Sequence, residues 1–156
     1  MTAHHPEMLF HLHRSHCIDA FGKAETAIAT FLTRHEMAKA NVTLAQQLKT
    51  LRAIPANPQF SKARRAAAHT ALDQLERLLP ARNDLVHAEM RLLKGSTSLA
   101  AFVNPREQDG VGRLARHFTI DEIEALAKTA LDVAGRLEAA LQPPRPAASA
   151  QAPVED

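Results

Sequence analysis

The chain has 156 residues, which is enough for one domain with a sizeable hydrophobic core. Hydrophobic residues make up 46% of the sequence and charged residues 23%, which excludes a chain that is disordered throughout. Aromatic residues make up 4%, with no Trp and no Tyr, so the composition favours helices over sheets. The net charge of +2 permits an anionic partner without arguing for one, and a single cysteine excludes an internal disulfide framework.

The first residues lack the continuous apolar segment of a secretory signal peptide, and histidines interrupt them. No apolar run approaches the length that spans a bilayer. We therefore expect a cytoplasmic protein that has no membrane partner.

Apolar residues recur at helical spacing between Pro6 and about Glu36 and predict a long first helix. Thr43 and Gln46 have the spacing of a capping box, which predicts the start of a short second helix. The segment Pro55–Pro58 ends that helix, because proline cannot donate to the helical hydrogen-bond ladder. The first helix is expected to bury one stripe of residues: Phe10, Cys17, Phe21, Ala24, Ile28, Phe31 and Leu32.

A third helix is predicted from about Ser61 to Leu79, where Pro80 breaks the pattern. A fourth helix is then expected from about Arg82 to Lys94. Residues 95–118 are less regular, and a long loop or a small hairpin fits them equally well.

A second capping box, Thr119 with Glu122, predicts the start of a last helix that continues to about Leu141. The expected fold is therefore all-α, a four- to five-helix up-down bundle over residues 1–142. The Pro/Ala-rich residues 143–156 are expected to form a disordered tail.

The segment Arg82-Asn83-Asp84-Leu85-Val86-His87 combines side chains that suit phosphate chemistry. Arginine presents a planar fork of donors to phosphate oxygens, and histidine takes or gives a proton near neutral pH. At the start of a helix, backbone N–H groups would add a partial positive charge. The trio Arg82, Asn83 and His87 would therefore suit a phosphodiester whose neighbouring 2′-OH must be activated.

Helical geometry limits how this trio can meet. On one continuous helix, Arg82 and His87 would point about 140° apart, because each residue turns the helix by about 100°. They would converge only if Arg82 occupied the cap, outside the regular helix. Asn83 and His87 are four residues apart and share a face in either case. A structural role stays open, in which Arg82 pairs with an acid, Asn83 caps the helix and His87 lies at a seam.

This segment resembles the signature of the HEPN superfamily, in which an arginine and a polar residue precede a histidine by four to six positions. The expected position of the segment, after the third helix of a bundle, is similar to the family's arrangement. The helical part of the resemblance covers roughly residues 8–141. It implies a metal-independent ribonuclease of toxin–antitoxin or phage-defence systems, or a non-catalytic relative. It also implies a homodimer in which two motifs face one cleft, with RNA as substrate and an antitoxin protein as a further partner.

Carried over residue by residue, the resemblance implies that His87 activates the 2′-OH and that a 2′,3′-cyclic phosphate end results. Arg82 would hold the scissile phosphate, and Asn83 would orient Arg82 or the phosphate. A toxin branch of the family has a tyrosine two residues past the histidine, whereas this chain has Glu89 there. That departure argues against membership of the branch.

Three arginines of residues 95–118, namely Arg106, Arg113 and Arg116, would bind RNA if their segment lies over the motif, and a solvated loop is the alternative. Apart from Cys17, which lies on the apolar stripe of the first helix, the N-terminal histidines have no acidic or thiol partner at convincing ligand spacing, so we expect no metal site and no cofactor.

Two other functions stay open. The first is a non-catalytic HEPN-like module that binds RNA, a nucleotide or a protein. The second is a purely structural dimer in which Arg82 and His87 serve the interface.

Overall fold

A computed structural model describes residues 5–93, 98–108 and 112–144, apart from the side chains of 106–108, 112 and 113. Within these residues the chain forms four α-helices and a three-stranded sheet. The helices are α1 (Pro6–Arg34), α2 (Leu44–Ala53), α3 (Lys62–His87) and α4 (Ile120–Leu141), and the strands are β1 (Glu89–Leu92), β2 (Leu99–Gln108) and β3 (Gly112–Thr119).

The predicted helical character is confirmed, and the long first helix, the short second helix and the last helix lie where the sequence places them. Both predicted capping boxes form. Thr43 and Gln46 exchange side-chain and backbone hydrogen bonds at the start of α2, and Thr119 and Glu122 do so at the start of α4. Each box satisfies two backbone N–H groups that the first turn of a helix leaves without partners.

The expected break at Pro80 is wrong, because α3 continues through this residue to His87. The apolar stripe stays in register across the proline, with Leu75 before it and Leu85 after it, both fully buried. Pro80 itself is exposed, so water can hydrate the Glu76 carbonyl, which loses its helical donor there. Continuous burial of the stripe therefore offsets the cost of one proline.

The expected fourth helix, residues 82–94, is also wrong. Its first six residues form the last turns of α3, and Glu89–Leu92 is a strand. Lys94, the expected end of that helix, lies outside the described residues, as do the tail residues 145–156.

The expected all-α bundle does not account for the three-stranded sheet, apart from the small hairpin that was one alternative for residues 95–118. All its neighbours are antiparallel, in the order β1-β2-β3, so β2 and β3 form the hairpin that was one of the two alternatives. The pairing of β2 with β3 shifts between Val103 and Glu107, where Pro105 cannot donate to the ladder. Phe102 and Phe118 on one face of the sheet are buried, and their rings meet edge to face at 5.7 Å.

The long helices alternate in direction. Arg82 near the end of α3 contacts Glu25 in α1, whereas Ala88, just beyond α3, contacts Arg14 nearer the start of α1. The two helices are therefore antiparallel. The start of α1, the end of α3 and the sheet meet at one end of the bundle, where the segment 82–87 lies.

The hydrophobic core joins all the helices and the sheet in one cluster. No helix in the described part of the chain combines the length and the apolar character needed to cross a membrane. The largest fully buried side chains are Phe10, Ile28, Phe31, Leu48, Leu51, Phe60, Leu72, Leu75, Leu85, Phe102, Ile123 and Leu137.

Candidate active site at the end of the third helix

The segment 82–87 forms the carbonyl end of a helix. Its backbone is regular helix, and the N–H of Ala88 donates to the Asp84 carbonyl at 2.8 Å to close the last turn. The expected helix start at this place is wrong. A helix C-terminus carries a partial negative charge, so the backbone here does not attract phosphate. Any anion that binds at this turn must be held by side chains.

Arg82 is held by two partners. Its Nη2 donates to Glu25 Oε1 at 2.9 Å, and its Nη1 donates to Asn83 Oδ1 at 3.2 Å. The Arg82 side chain is 25% exposed, so one part of the guanidinium meets solvent while the other packs against α1. The ion pair fixes the orientation of the guanidinium and lowers the net positive charge at this point.

Asn83 and His87 are both exposed and lie four residues apart on one face of the last turns. Because Arg82 lies inside the regular helix, its side chain and that of His87 leave the axis about 140° apart. The cap position that would let them converge within one chain is not occupied by Arg82. A shared substrate would therefore have to reach around the helix, or meet the two side chains from different copies of the protein.

Arg116 is brought to this turn by the sheet. Phe102 pairs with both Met90 and Arg116, so Arg116 lies on the same face of the sheet as the buried Phe102 ring. From there its Nε donates to Asp84 Oδ2 at 2.7 Å. An open cavity of about 510 Å³ adjoins this ion pair, with Asn104 in its lining.

Of the other two predicted RNA-binding arginines, Arg106 lies in β2 and Arg113 in β3. The backbone of Arg113 lies opposite that of Glu107 in the strand register. Their side chains lie outside the described part of the structure. Of the three, only Arg116 is therefore placed at the segment 82–87 by a described contact.

Arg14 is a residue of this region that the sequence did not predict. Its Nε donates to the Leu85 carbonyl at 2.7 Å, and its Nη2 donates to the Ala88 carbonyl at 3.3 Å. Its Cζ also lies 5.8 Å from the centre of the Phe102 ring. Arg14 thus supplies donors to carbonyls that the end of α3 leaves without helical partners.

The thiol of Cys17 lies in the apolar stripe of α1 and is fully buried. Burial raises its pKa to about 11, so it is protonated at neutral pH and unsuited to act as a nucleophile. The rings of His13 and His16 lie 6.1 Å apart, edge to face. Among the described residues, no group of three or more His, Cys, Asp or Glu side chains is arranged to hold a metal ion.

Comparisons of the chain with family models, with curated proteins and with solved structures find no match. The likeness to the HEPN signature therefore depends on the segment 82–87 alone.

Proposed function

We propose that the protein is a metal-independent endoribonuclease of the HEPN type. The observation that carries the proposal is the arrangement on the last turns of α3. Asn83 and His87 are exposed there, Arg82 is partly exposed, and Arg116 joins them through Asp84. Arg82, Arg116 and His87 on or beside these last turns offer the groups for phosphate recognition and for proton transfer, although Arg82 and His87 leave the helix axis in different directions.

In this mechanism, the His87 imidazole takes the proton of a ribose 2′-OH. The 2′-oxygen then attacks the adjacent phosphorus, and the bond to the 5′-oxygen of the next nucleotide breaks. That oxygen takes up a proton from solvent water, and His87 later releases its proton to solvent, which leaves a 2′,3′-cyclic phosphate and a 5′-OH. The guanidinium of Arg82 stabilises the negative charge that develops on the phosphate oxygens, and Asn83 holds Arg82 through its Oδ1.

The divergence of Arg82 and His87 on one helix supports a composite site made by two copies of the chain. In such a homodimer, His87 of one copy and Arg82 of the other would face the same phosphodiester. RNA is then the substrate, and Arg116 extends the contact with the RNA backbone. An antitoxin protein would restrain the enzyme in a toxin–antitoxin or phage-defence system.

Cleavage of RNA in the presence of EDTA tests this function. We expect the purified protein to cut RNA under these conditions and His87→Ala to lower the rate at least about a hundredfold, the usual contribution of a general base. His11→Ala is the matched control, because His11 is also an exposed helical histidine but lies on α1. Intact RNA at high protein concentration, or equal activity of the two variants, would refute the proposal.

The second candidate is a non-catalytic HEPN-like module that binds RNA, a nucleotide or a protein, or a purely structural dimer. The pairing of Arg82 with Glu25 favours a non-catalytic role, since an arginine that only stabilises the structure would be held in the same way. A binding module would retain RNA without cleaving it, whether or not His87 is present. In a structural dimer, Arg82→Ala would lower the melting temperature or dissociate the dimer and would have no effect on nucleic acid.

A further inference from the structure

Arg14 contacts the backbone on both sides of His87. It donates to the carbonyl of Leu85, two residues before the histidine, and to that of Ala88, directly after it. These bonds cross from α1 to the junction at which α3 ends and β1 begins. We infer that Arg14 is a positioning residue for His87, an inference that depends on the ribonuclease function proposed above.

The need for such a residue follows from where His87 lies. The last turn of a helix has carbonyls without N–H partners and is the part that frays most readily. A catalytic base must be held within a fraction of an ångström of its proton donor to work well. His87 is exposed, so side-chain packing does little to fix it, and its position depends on the backbone to which it is attached.

The planar fork of Arg14 is suited to this task. Its Nε and Nη2 point in the same direction and reach two carbonyls at once, which a lysine ammonium on its flexible stem does less well. The Phe102 ring, itself buried in the sheet, lies beside the guanidinium and limits its movement. The His87 backbone is therefore connected through one side chain to both α1 and β2.

The chain contains a matched control for this contact. Arg34, at the end of α1, donates to the carbonyl of Leu141 at the end of α4 and lies over the ring of Phe31 at 5.4 Å. It thus combines a helix-end carbonyl and an aromatic ring as Arg14 does, but at a helix end that carries none of the candidate site residues. A purely structural role predicts that conservative changes of Arg14 and Arg34 have the same consequences.

The test compares Arg14→Lys with Arg34→Lys in the full chain. We expect both to lower the melting temperature to a similar extent. Only Arg14→Lys should slow the cleavage of RNA in EDTA, by about tenfold or more in kcat, with KM changed less than about twofold, because a displaced base affects the chemical step and not binding. Equal kcat values for the two variants would overturn the inference.

A second readout separates this inference from the proposed function. In the NMR spectrum, Arg14→Lys should shift or broaden the Cε1–H signal of His87, while Arg34→Lys leaves that signal unchanged. If the wild-type protein fails to cleave RNA, the ribonuclease proposal fails and the NMR result still decides whether Arg14 positions His87. An unaltered His87 signal in Arg14→Lys contradicts the positioning role.

If Arg14→Lys does not fold, Phe102→Leu provides the same test, because it removes the ring beside the guanidinium and keeps Arg14. We expect it to perturb the His87 signal and to slow cleavage. An unchanged signal and unchanged kcat in folded Phe102→Leu would count against a positioning role for the Arg14 contact.

Discussion

Arg82 and His87 differ in how firmly the protein holds their side chains. The guanidinium of Arg82 is fixed by Glu25 and Asn83, whereas His87 is exposed at the end of its helix. A partly exposed ion pair such as Arg82–Glu25 stabilises a fold by at most about 1 kcal/mol. Its larger consequence is orientation, since in the proposed function an arginine that is held before RNA binds would lose less conformational freedom on binding.

The thiol of Cys17 makes the stability of the protein depend on pH in the alkaline range. Burial raises its pKa from 9.0 to about 11 in the folded state. Between these values the unfolded chain has lost the proton that the folded chain keeps, so the free energy of unfolding falls as pH rises. The contribution of Cys17 is fully present below pH 9 and is lost as pH rises through 11, by up to about 3 kcal/mol for two pKa units.

Cys17→Ala isolates this effect from the titration of lysines. Urea unfolding of both proteins at pH 8 and pH 11 should show that the wild type loses about 2 to 3 kcal/mol relative to the variant over this range. A difference between the two proteins that stays constant with pH would contradict the burial of the thiol.

The sequence contained a signal for the two residues of α1 that hold the segment 82–87. Arg14 lies four residues after Phe10 and three before Cys17, so it occupies a position of the buried stripe. Glu25 occupies another position of that stripe, three residues before Ile28. Charged side chains are rarely buried unless they are paired, so a charge at stripe spacing predicts a partner on a neighbouring helix. The identity of that partner was not predictable, because the packing of α1 on α3 brings together residues that are far apart in the chain.

The helix α3 explains why the sequence predicts the candidate site at the start of a helix, although the site lies at the end of one. Proline in a helix interior costs about 3 kcal/mol, and the local pattern therefore predicts that the helix ends there. Local propensity does not contain the tertiary contribution: burial of Leu85 alone contributes about 2 kcal/mol or more and requires the helix to continue. Local propensity was outweighed by packing at this position.

Replacing Pro80 by alanine tests the continuous helix directly. In α3 the change restores an N–H donor for the Glu76 carbonyl, so we expect the protein to become more stable by about 2 kcal/mol. Thermal or urea unfolding measures the change. A neutral or destabilising effect would instead fit a proline in the first turn of a new helix, where its missing N–H has no cost.

The ends of three helices share one feature, an arginine that donates to their last carbonyls. Arg14 donates to carbonyls at the end of α3, Arg34 to one at the end of α4, and Arg65 to those of Arg52 and Ile54 at the end of α2. In each case a long cationic side chain from a neighbouring element supplies the donors that the last turn lacks, and its charge suits the helix dipole. These contacts connect helix ends that short-range sequence signals leave undefined.

At the scale of the whole molecule, the helical stripes and both capping boxes were predictable because periodicity and local hydrogen bonding determine them. The sheet was not. The strand β1 has four residues, too few to distinguish a period of 2 from one of 3.6, and its partner β2 contains Pro105. The pairing of β1 with β2, and of β2 with β3, depends on tertiary contacts, and it brings Arg116 to Asp84.

The bundle and the sheet together place the start of α1, the end of α3 and Arg116 at one end of the molecule. One copy of the chain presents Arg82 and His87 on different sides of α3. The proposed function therefore requires that two copies of the chain combine these residues on one phosphodiester.

Mixing two inactive variants tests this claim most directly. In a dimer of Arg82→Ala with His87→Ala, one of the two composite sites would contain an intact Arg82 from one copy and an intact His87 from the other. Random exchange makes half of the dimers mixed, so the mixture should recover about a quarter of the wild-type rate of RNA cleavage in EDTA. A mixture that stays as inactive as either variant, under conditions in which the copies exchange, would contradict a composite site made by two copies.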